Sequence, residues 1–134
     1  MTIKDIMTKE PICIGPNDTI SDALKIIRSN DSIRHLLVTK GTKLIGIVSD
    51  RDILFKIGPW REMGKYQVSV ILQSPISSIM ISNVRTCKPE DSIIEVTKLL
   101  VEEKFGAVPV VQDGNLVGIV SYVDLLNHFA MCSS

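Results

Sequence analysis

At 134 residues, the chain suits one compact unit or two very small ones. Hydrophobic residues make up 45%, too many for a disordered regulator, and 15 basic against 15 acidic residues leave no net charge. That balance argues against a general nucleic-acid binder, which carries a basic excess. No apolar run approaches the roughly 18 residues of a membrane span, and Lys4, Asp5, Lys9 and Glu10 break up any signal-peptide core. The expectation is a cytoplasmic protein with no membrane attachment.

In chain order, Thr19-Ile20-Ser21-Asp22 is a capping box, in which hydroxyl and carboxylate satisfy the free amides of a helix start. Ile20, Ala23, Leu24 and Ile27 follow at helical spacing. Two short apolar runs, His35 to Thr39 and Leu44 to Val48, flank a turn and predict paired strands; a short helix begins near Asp50. From Phe55 to Ser74, Gly58-Pro59 and Gly64 interrupt structure, and the more apolar Gln67 to Leu72 suits a helix. The same order then returns. Ser92-Ile93-Ile94-Glu95 is a second capping box, followed by Val96 and Leu100 at helical spacing. Ala107 to Val111 and Leu116 to Val120 flank Asp113-Gly114, a strong hairpin signal because glycine accepts a positive φ. A last helix begins near Tyr122.

The chain is therefore written twice. Leu44 to Leu54 matches Leu116 to Leu126 with seven of eleven positions identical, and Gly46 and Gly118 stand 72 positions apart. Upstream, Ile6-Met7 answers Ile79-Met80 and Pro16 answers Pro89, at an offset of 73. The one-residue difference is expected in the strand–strand turn, where length changes are tolerated. Residues 1–57 form the first repeat, 58–74 a linker and 75–134 the second. About sixty residues bury too little surface to be comfortably stable alone, so the two repeats are expected to form one pseudo-symmetric module.

These residues resemble the CBS (cystathionine-beta-synthase) domain, which occurs in tandem pairs. The resemblance runs from Ile3 to Phe129. Its most specific carriers are Gly46-Ile47-Val48-Ser49-x-x-Asp52 and Gly118-Ile119-Val120-Ser121-x-x-Asp124, supported by the Ile-Met and proline pairs, Asp22-Ala23 and Val108-Pro109-Val110-Val111. It implies an α/β (α+β) fold of two βαββα-like units packed sheet to sheet with pseudo-twofold symmetry. It also implies clefts for an adenine nucleotide (AMP, ADP or ATP), a separate effector protein that reads their occupancy, and a homodimer. S-adenosylmethionine or RNA are alternative ligands, and a structural dimerisation module with empty clefts is the alternative function.

The physical case for a site rests on Ser49-x-x-Asp52 and Ser121-x-x-Asp124. Each follows a strand and opens a helix, whose free N–H groups suit a phosphate. A serine hydroxyl there can donate to phosphate, and an aspartate can accept from ribose hydroxyls; the same pattern also serves as a capping box without any ligand. Arg34 and Arg51 offer forked donors for phosphate, with His35 beside them. In the second repeat Gly106-Ala107 stands against Ile33-Arg34 and Val123 replaces Arg51, so the two sites are expected to differ; clefts of the family borrow residues from both copies, which leaves open whether Arg34 serves the cleft of Asp52 or that of Asp124. Ile47, Ile119, Ala107 and Val108 are candidate adenine-pocket residues. Thr86 takes a position where the family often has a hydroxyl near ligand, and Cys13 stands there in the first repeat.

Other chemistry has little support. Gly41 to Gly46 has P-loop glycine spacing, but Ile47-Val48 follows where Lys and Ser/Thr are needed. No nucleophile elbow, triad order or paired-carboxylate motif occurs, so no enzyme is expected. Cys13, Cys87 and Cys132 are far apart and only His35 and His128 are present, so neither a disulfide nor a metal is expected. Neither DNA nor a membrane is an expected partner.

Overall fold

A computed structural model describes residues 1–30, 33–58, 64–103 and 105–132. Pro59 of the expected break lies outside them. The elements are β1 (Thr8–Lys9), β2 (Cys13–Ile14), α1 (Ile20–Ser29), β3 (His35–Lys40), β4 (Lys43–Ser49), α2 (Asp50–Ile57), α3 (Lys65–Leu72), α4 (Ile93–Glu103), β5 (Ala107–Gln112), β6 (Asn115–Ser121) and α5 (Tyr122–Cys132). One three-stranded sheet runs β2-β3-β4 and the other β1-β6-β5. The mixed α/β class and the doubled helix–hairpin–helix order agree with the sequence expectation, including a helix over 65–72 in the linker.

The compact units are not cut where the sequence repeats are. One unit is Ile12–Asn83; the other joins Met1–Pro11 to Val84–Ser134. The segment before each repeat's first strand has crossed to the other repeat. In the second unit β1 pairs antiparallel with β6, Thr8 opposite Ile119, and Ile3 N–H donates to the Asp91 carbonyl at 3.0 Å. In the first unit the counterparts are Ile81 opposite Ile47 and Ile76 N–H to the Asp18 carbonyl at 2.8 Å. The prolines seen in the sequence anchor the same crossing: the Pro16 carbonyl accepts from Ser77 N–H and the Pro89 carbonyl from Lys4 N–H.

This crossing gives the Gly and Ile-Met motifs a shared cause. A Cβ on Gly118 would sit 2.7 Å from Met7 Sδ and 2.9 Å from the Thr8 carbonyl oxygen. On Gly46 it would sit 2.7 Å from Met80 Sδ and 3.0 Å from the Ile81 oxygen. Only glycine lets the crossed segment approach the strand this closely.

Each unit has its own core. Ile14, Ile20, Ala23, Leu36, Val38, Val48, Ile53 and Ile76 cluster in the first. Ile3, Cys87, Ile93, Val96, Leu100, Val108, Val110, Val120 and Leu125 cluster in the second. Side chains alternate along a strand, so Leu36 and Val38 face the helices while His35 and Leu37 face away. Ile3 and Ile76, each from a crossed segment, are fully buried.

The hairpins align at one offset throughout: His35 pairs with Ser49 as Ala107 does with Ser121, and Lys40 with Lys43 as Gln112 does with Asn115. Both carry a bulge, with Ile45 and Val117 as the extra residues. Asp113 and Gly114 both have positive φ, 52° and 81°, the type I′ turn; in the first hairpin Gly41 does so, at 65°, and Thr42 does not, the type II′ pattern. The one-residue difference between repeats is therefore not in the turn. It falls between the helix starts, Ile20 and Ile93, which are 73 positions apart, and the following strand starts, His35 and Ala107, which are 72 apart. The counterpart of Arg34 is Gly106 and that of His35 is Ala107, as the matching hydrogen bonds Asp50 N–H to Arg34 O and Tyr122 N–H to Gly106 O also require.

Candidate functional site

Each unit offers one site, built where a hairpin hands over to a helix. In the first unit β4 ends at Ser49, whose extended backbone makes it the N-cap of α2. Its Oγ accepts from Asp52 N–H at 3.1 Å, while Asp52 Oδ2 accepts from Ser49 N–H at 2.8 Å. The capping box of the sequence is thus formed, and both residues are half-buried. The second unit repeats it: Asp124 N–H donates to Ser121 Oγ at 3.4 Å, and Asp124 Oδ2 accepts from Ser121 N–H at 2.9 Å and Oγ at 3.2 Å.

The strand faces decide which neighbours these motifs have. His35, Leu37, Ile47 and Ser49 share the sheet face turned away from α1 and α2; Ala107, Pro109, Ile119 and Ser121 share the equivalent face in the second unit. Ile47 and Ile119 are half-buried there, beside the serines. Val108 is not among them. It is fully buried on the opposite face, in the core with Val110 and Val120, so it packs the fold and lines no pocket with Ala107.

The charged residues differ between units. Arg34 forms an ion pair with Asp50 at 3.1 Å, mostly exposed, and Arg51 is exposed on the first turn of α2. His35 is half-buried; burial pulls its imidazole below the ordinary value, against the opposing pull of Asp50 and Asp52. In the second unit Gly106, Ala107 and Val123 hold the matching places. Thr86 is exposed and lines a polar groove with Arg85, Asp91 and Glu95, alongside α4. Its neighbour Cys87 is buried and its thiol is pushed up to about 12 by desolvation and then by Asp91, an inert core position. Cys13 pairs with Leu37 in the β2–β3 ladder, and its thiol is raised by burial.

Sequence reasoning missed Thr8. It lies on the crossed strand β1, and its Oγ1 donates to Asp124, 3.3 Å from Oδ1. Its counterpart in the first unit is Ile81, 73 positions on and opposite Ile47. The two residues are 116 positions apart, and no local pattern connects them; only the crossing brings them together. Chemically, each site joins a carboxylate already held by its cap to a half-buried isoleucine, an arrangement suited to a diol beside a flat apolar group. Among the described residues no group of three or more His, Cys, Asp or Glu could hold a metal, and no helix is long and apolar enough to cross a membrane.

The chain matches the family model of the CBS domain twice, over residues 3–58 and 76–131. The protein MJ1426 of Methanocaldococcus jannaschii is 30% identical, over 94% of this chain and 89% of that protein. Among solved structures, the CBS domain pair of protein MJ0100, in complex with 5′-methylthioadenosine and S-adenosyl-L-methionine, superposes with a TM-score of 0.79 at 28% identity, covering 98% of both chains. The protein CBSX2 in complex with AMP gives 0.83 at 23% identity over 99% of this chain and 98% of that one, a likeness of fold.

Proposed function

The chain belongs to the CBS domain family, and from that premise we propose that it is a regulatory module, not an enzyme, that binds an adenine nucleotide (AMP, ADP or ATP) and signals its occupancy to a separate effector protein. The observation that carries this reading is the doubled Ser-x-x-Asp cap, each copy flanked on the same sheet face by a half-buried isoleucine. The carboxylate accepts from the ribose hydroxyls, the isoleucine lies against the adenine, and the helix start with its serine receives phosphate. Arg34 and Arg51 supply charge for phosphate in the first unit; the second, with none at those places, suits an adenosyl ligand of lower charge. The adenosyl ligands named for MJ0100 belong to a relative similar enough to favour this chemistry over an empty structural module. Calorimetry with AMP, ATP and S-adenosylmethionine tests it: saturable binding is expected, and a hundredfold excess over Kd should stabilise the fold by about 2.7 kcal/mol. Absence of heat and of any melting shift with all three ligands at millimolar concentration refutes it.

The module is proposed to work as a homodimer. Phe55 on α2 is 75% exposed and Leu126 on α5 is 66% exposed, with Leu54 and Phe129 also exposed beside them. Apolar surface of this kind marks an interface, and twofold symmetry makes it self-complementary. Light scattering is expected to return twice the 14.8 kDa chain mass; a monomer mass at micromolar concentration, with and without nucleotide, overturns it.

A further inference from the structure

On the last helix, His128, Met131 and Cys132 stand at i, i+3 and i+4, so they share one face. His128 Nε2 lies 3.7 Å from Cys132 Sγ. That separation has a meaning beyond a weak hydrogen bond. With a metal–sulfur bond of about 2.3 Å, a metal–nitrogen bond of about 2.0–2.1 Å and an angle of about 110–120°, the two donor atoms of a metal centre lie about 3.6–3.8 Å apart. The pair is already spaced as two ligands of one ion.

The surroundings select the ion. The same cavity is lined by Met131 and by Met1 from the crossed N-terminal segment, so the remaining soft donors are thioethers. Asp5 and Asp124 also reach the cavity wall, but Asp5 Oδ2 accepts from Thr2 N–H at 2.8 Å, and Asp124 is held by Ser121 and Thr8. No third His, Cys, Asp or Glu completes a cluster among the described residues, which leaves a zinc tetrahedron without its ligands. A thiolate, an imidazole and a thioether are the donor set of copper(I), which soft ligands select. Cys132 is exposed, so an ion can reach it.

We propose that the C-terminal helix carries a copper(I) site, held by the Cys132 thiolate and His128 Nε2 with the Met131 thioether as third donor. On binding, the Cys132 thiol gives its proton to solvent as the sulfur–copper bond forms, with no change of oxidation state. The site is independent of the nucleotide reading and stands or falls without it.

The test uses the full chain under anaerobic conditions with copper(I) presented as its bicinchoninate complex. The protein is expected to withdraw one equivalent, seen as loss of the chelate colour. Loss of outer-shell partners alone weakens metal sites about 10–100-fold, so Cys132→Ser and His128→Ala should each weaken retention by more than about tenfold. Cys13→Ser should leave it unchanged, since Cys13 lies in the other unit. X-ray absorption of the loaded protein should show mixed sulfur and nitrogen ligation, with one sulfur lost in Met131→Leu. Circular dichroism checks that each variant keeps its helices; these are exposed or half-buried positions near the chain's end. No withdrawal, withdrawal undiminished in both Cys132→Ser and His128→Ala, or a preference for zinc(II) over copper(I) overturns the proposal.

Discussion

The unit Ile12–Asn83 and the unit that joins Met1–Pro11 to Val84–Ser134 keep some features in common and differ in others. Both have a two-residue hairpin turn, a bulge two strand pairs beyond it, a glycine beneath a crossed methionine, and a Ser-x-x-Asp cap. They differ at matching positions on the segments next to the cap, although the cap serine and its flanking isoleucine are the same. The first unit has Arg34, His35, Arg51 and Ile81 at the positions where the second has Gly106, Ala107, Val123 and Thr8. The shared features are those the backbone requires. Bulge, turn and glycine fix where the strand ends and the helix starts, and the cap satisfies that helix start. The differing features are those a bound molecule would feel. The first unit carries Arg34, paired with Asp50, and Arg51 on the helix its cap opens, and the second gives its cap carboxylate the Thr8 hydroxyl.

The largest effect should come from the crossed segments. Ile3→Ala and Ile76→Ala each empty a fully buried position and should cost about 2–5 kcal/mol in chemical denaturation, the range for deleting a buried aliphatic side chain. If residues 1–11 were a loose leader to the first repeat, Ile3→Ala would cost almost nothing, and the division into units drawn above would be wrong.

Next in size is the contrast between carboxylates. Asp52→Ala and Asp124→Ala should each weaken nucleotide binding at their own site by about 1.5–3 kcal/mol, the loss of a charged hydrogen-bond partner. As caps they should also cost about 1 kcal/mol of stability. Thr8→Val should perturb only the Asp124 site, by about 0.5–1.5 kcal/mol. Calorimetry that resolves two sites checks this; identical losses at two identical sites would erase the proposed asymmetry between units.

The smallest effect is a pH dependence confined to the first unit. The folded pKa of His35 lies below its ordinary value because burial disfavours the imidazolium, partly offset by Asp50 and Asp52. The folded state therefore resists protonation at this residue more than the unfolded chain does. Stability is in full above the ordinary histidine pKa of about 6.5 and declines as pH falls through that value toward the folded one. His35→Ala, which copies Ala107 of the second unit, should flatten the melting temperature between about pH 7 and pH 5. Asp5 and Asp22, whose carboxyls are lowered first by backbone hydrogen bonds, lose their contribution only below the ordinary carboxylate value, outside this window. An unchanged slope in His35→Ala would remove the histidine from the account.

How far the sequence alone reaches can be judged residue by residue. Periodicity placed α1 and α4, and the S/T-x-x-D/E boxes marked their first turns to the residue. Asp113-Gly114 marked its turn because a positive φ at both central positions leaves few other residue pairs. The repeat itself identified both Ser-x-x-Asp caps, since a cap is made within four residues. The match of Ile33-Arg34 to Gly106-Ala107 is one residue out, because the strand ladders pair both hairpins at a single offset and so set Arg34 against Gly106. Ala107 and Val108 are both small and apolar, so the sequence does not separate them, and only the strand register shows that Val108 is the one that faces the helices.

Composition, capping and repetition are local, and a chain read in order reveals them: an α/β class, a duplicated unit, two capped helix starts, and two repeats whose cations are concentrated in one. Which repeat the first eleven residues serve is not local. Ile3, Met7 and Thr8 are as compatible with one sheet edge as with the other until the chain is closed in space. The partnership of Thr8 with Asp124, and of Met7 with Gly118, was therefore decided by the tertiary structure, because strand pairing and close packing are satisfied between segments more than a hundred residues apart.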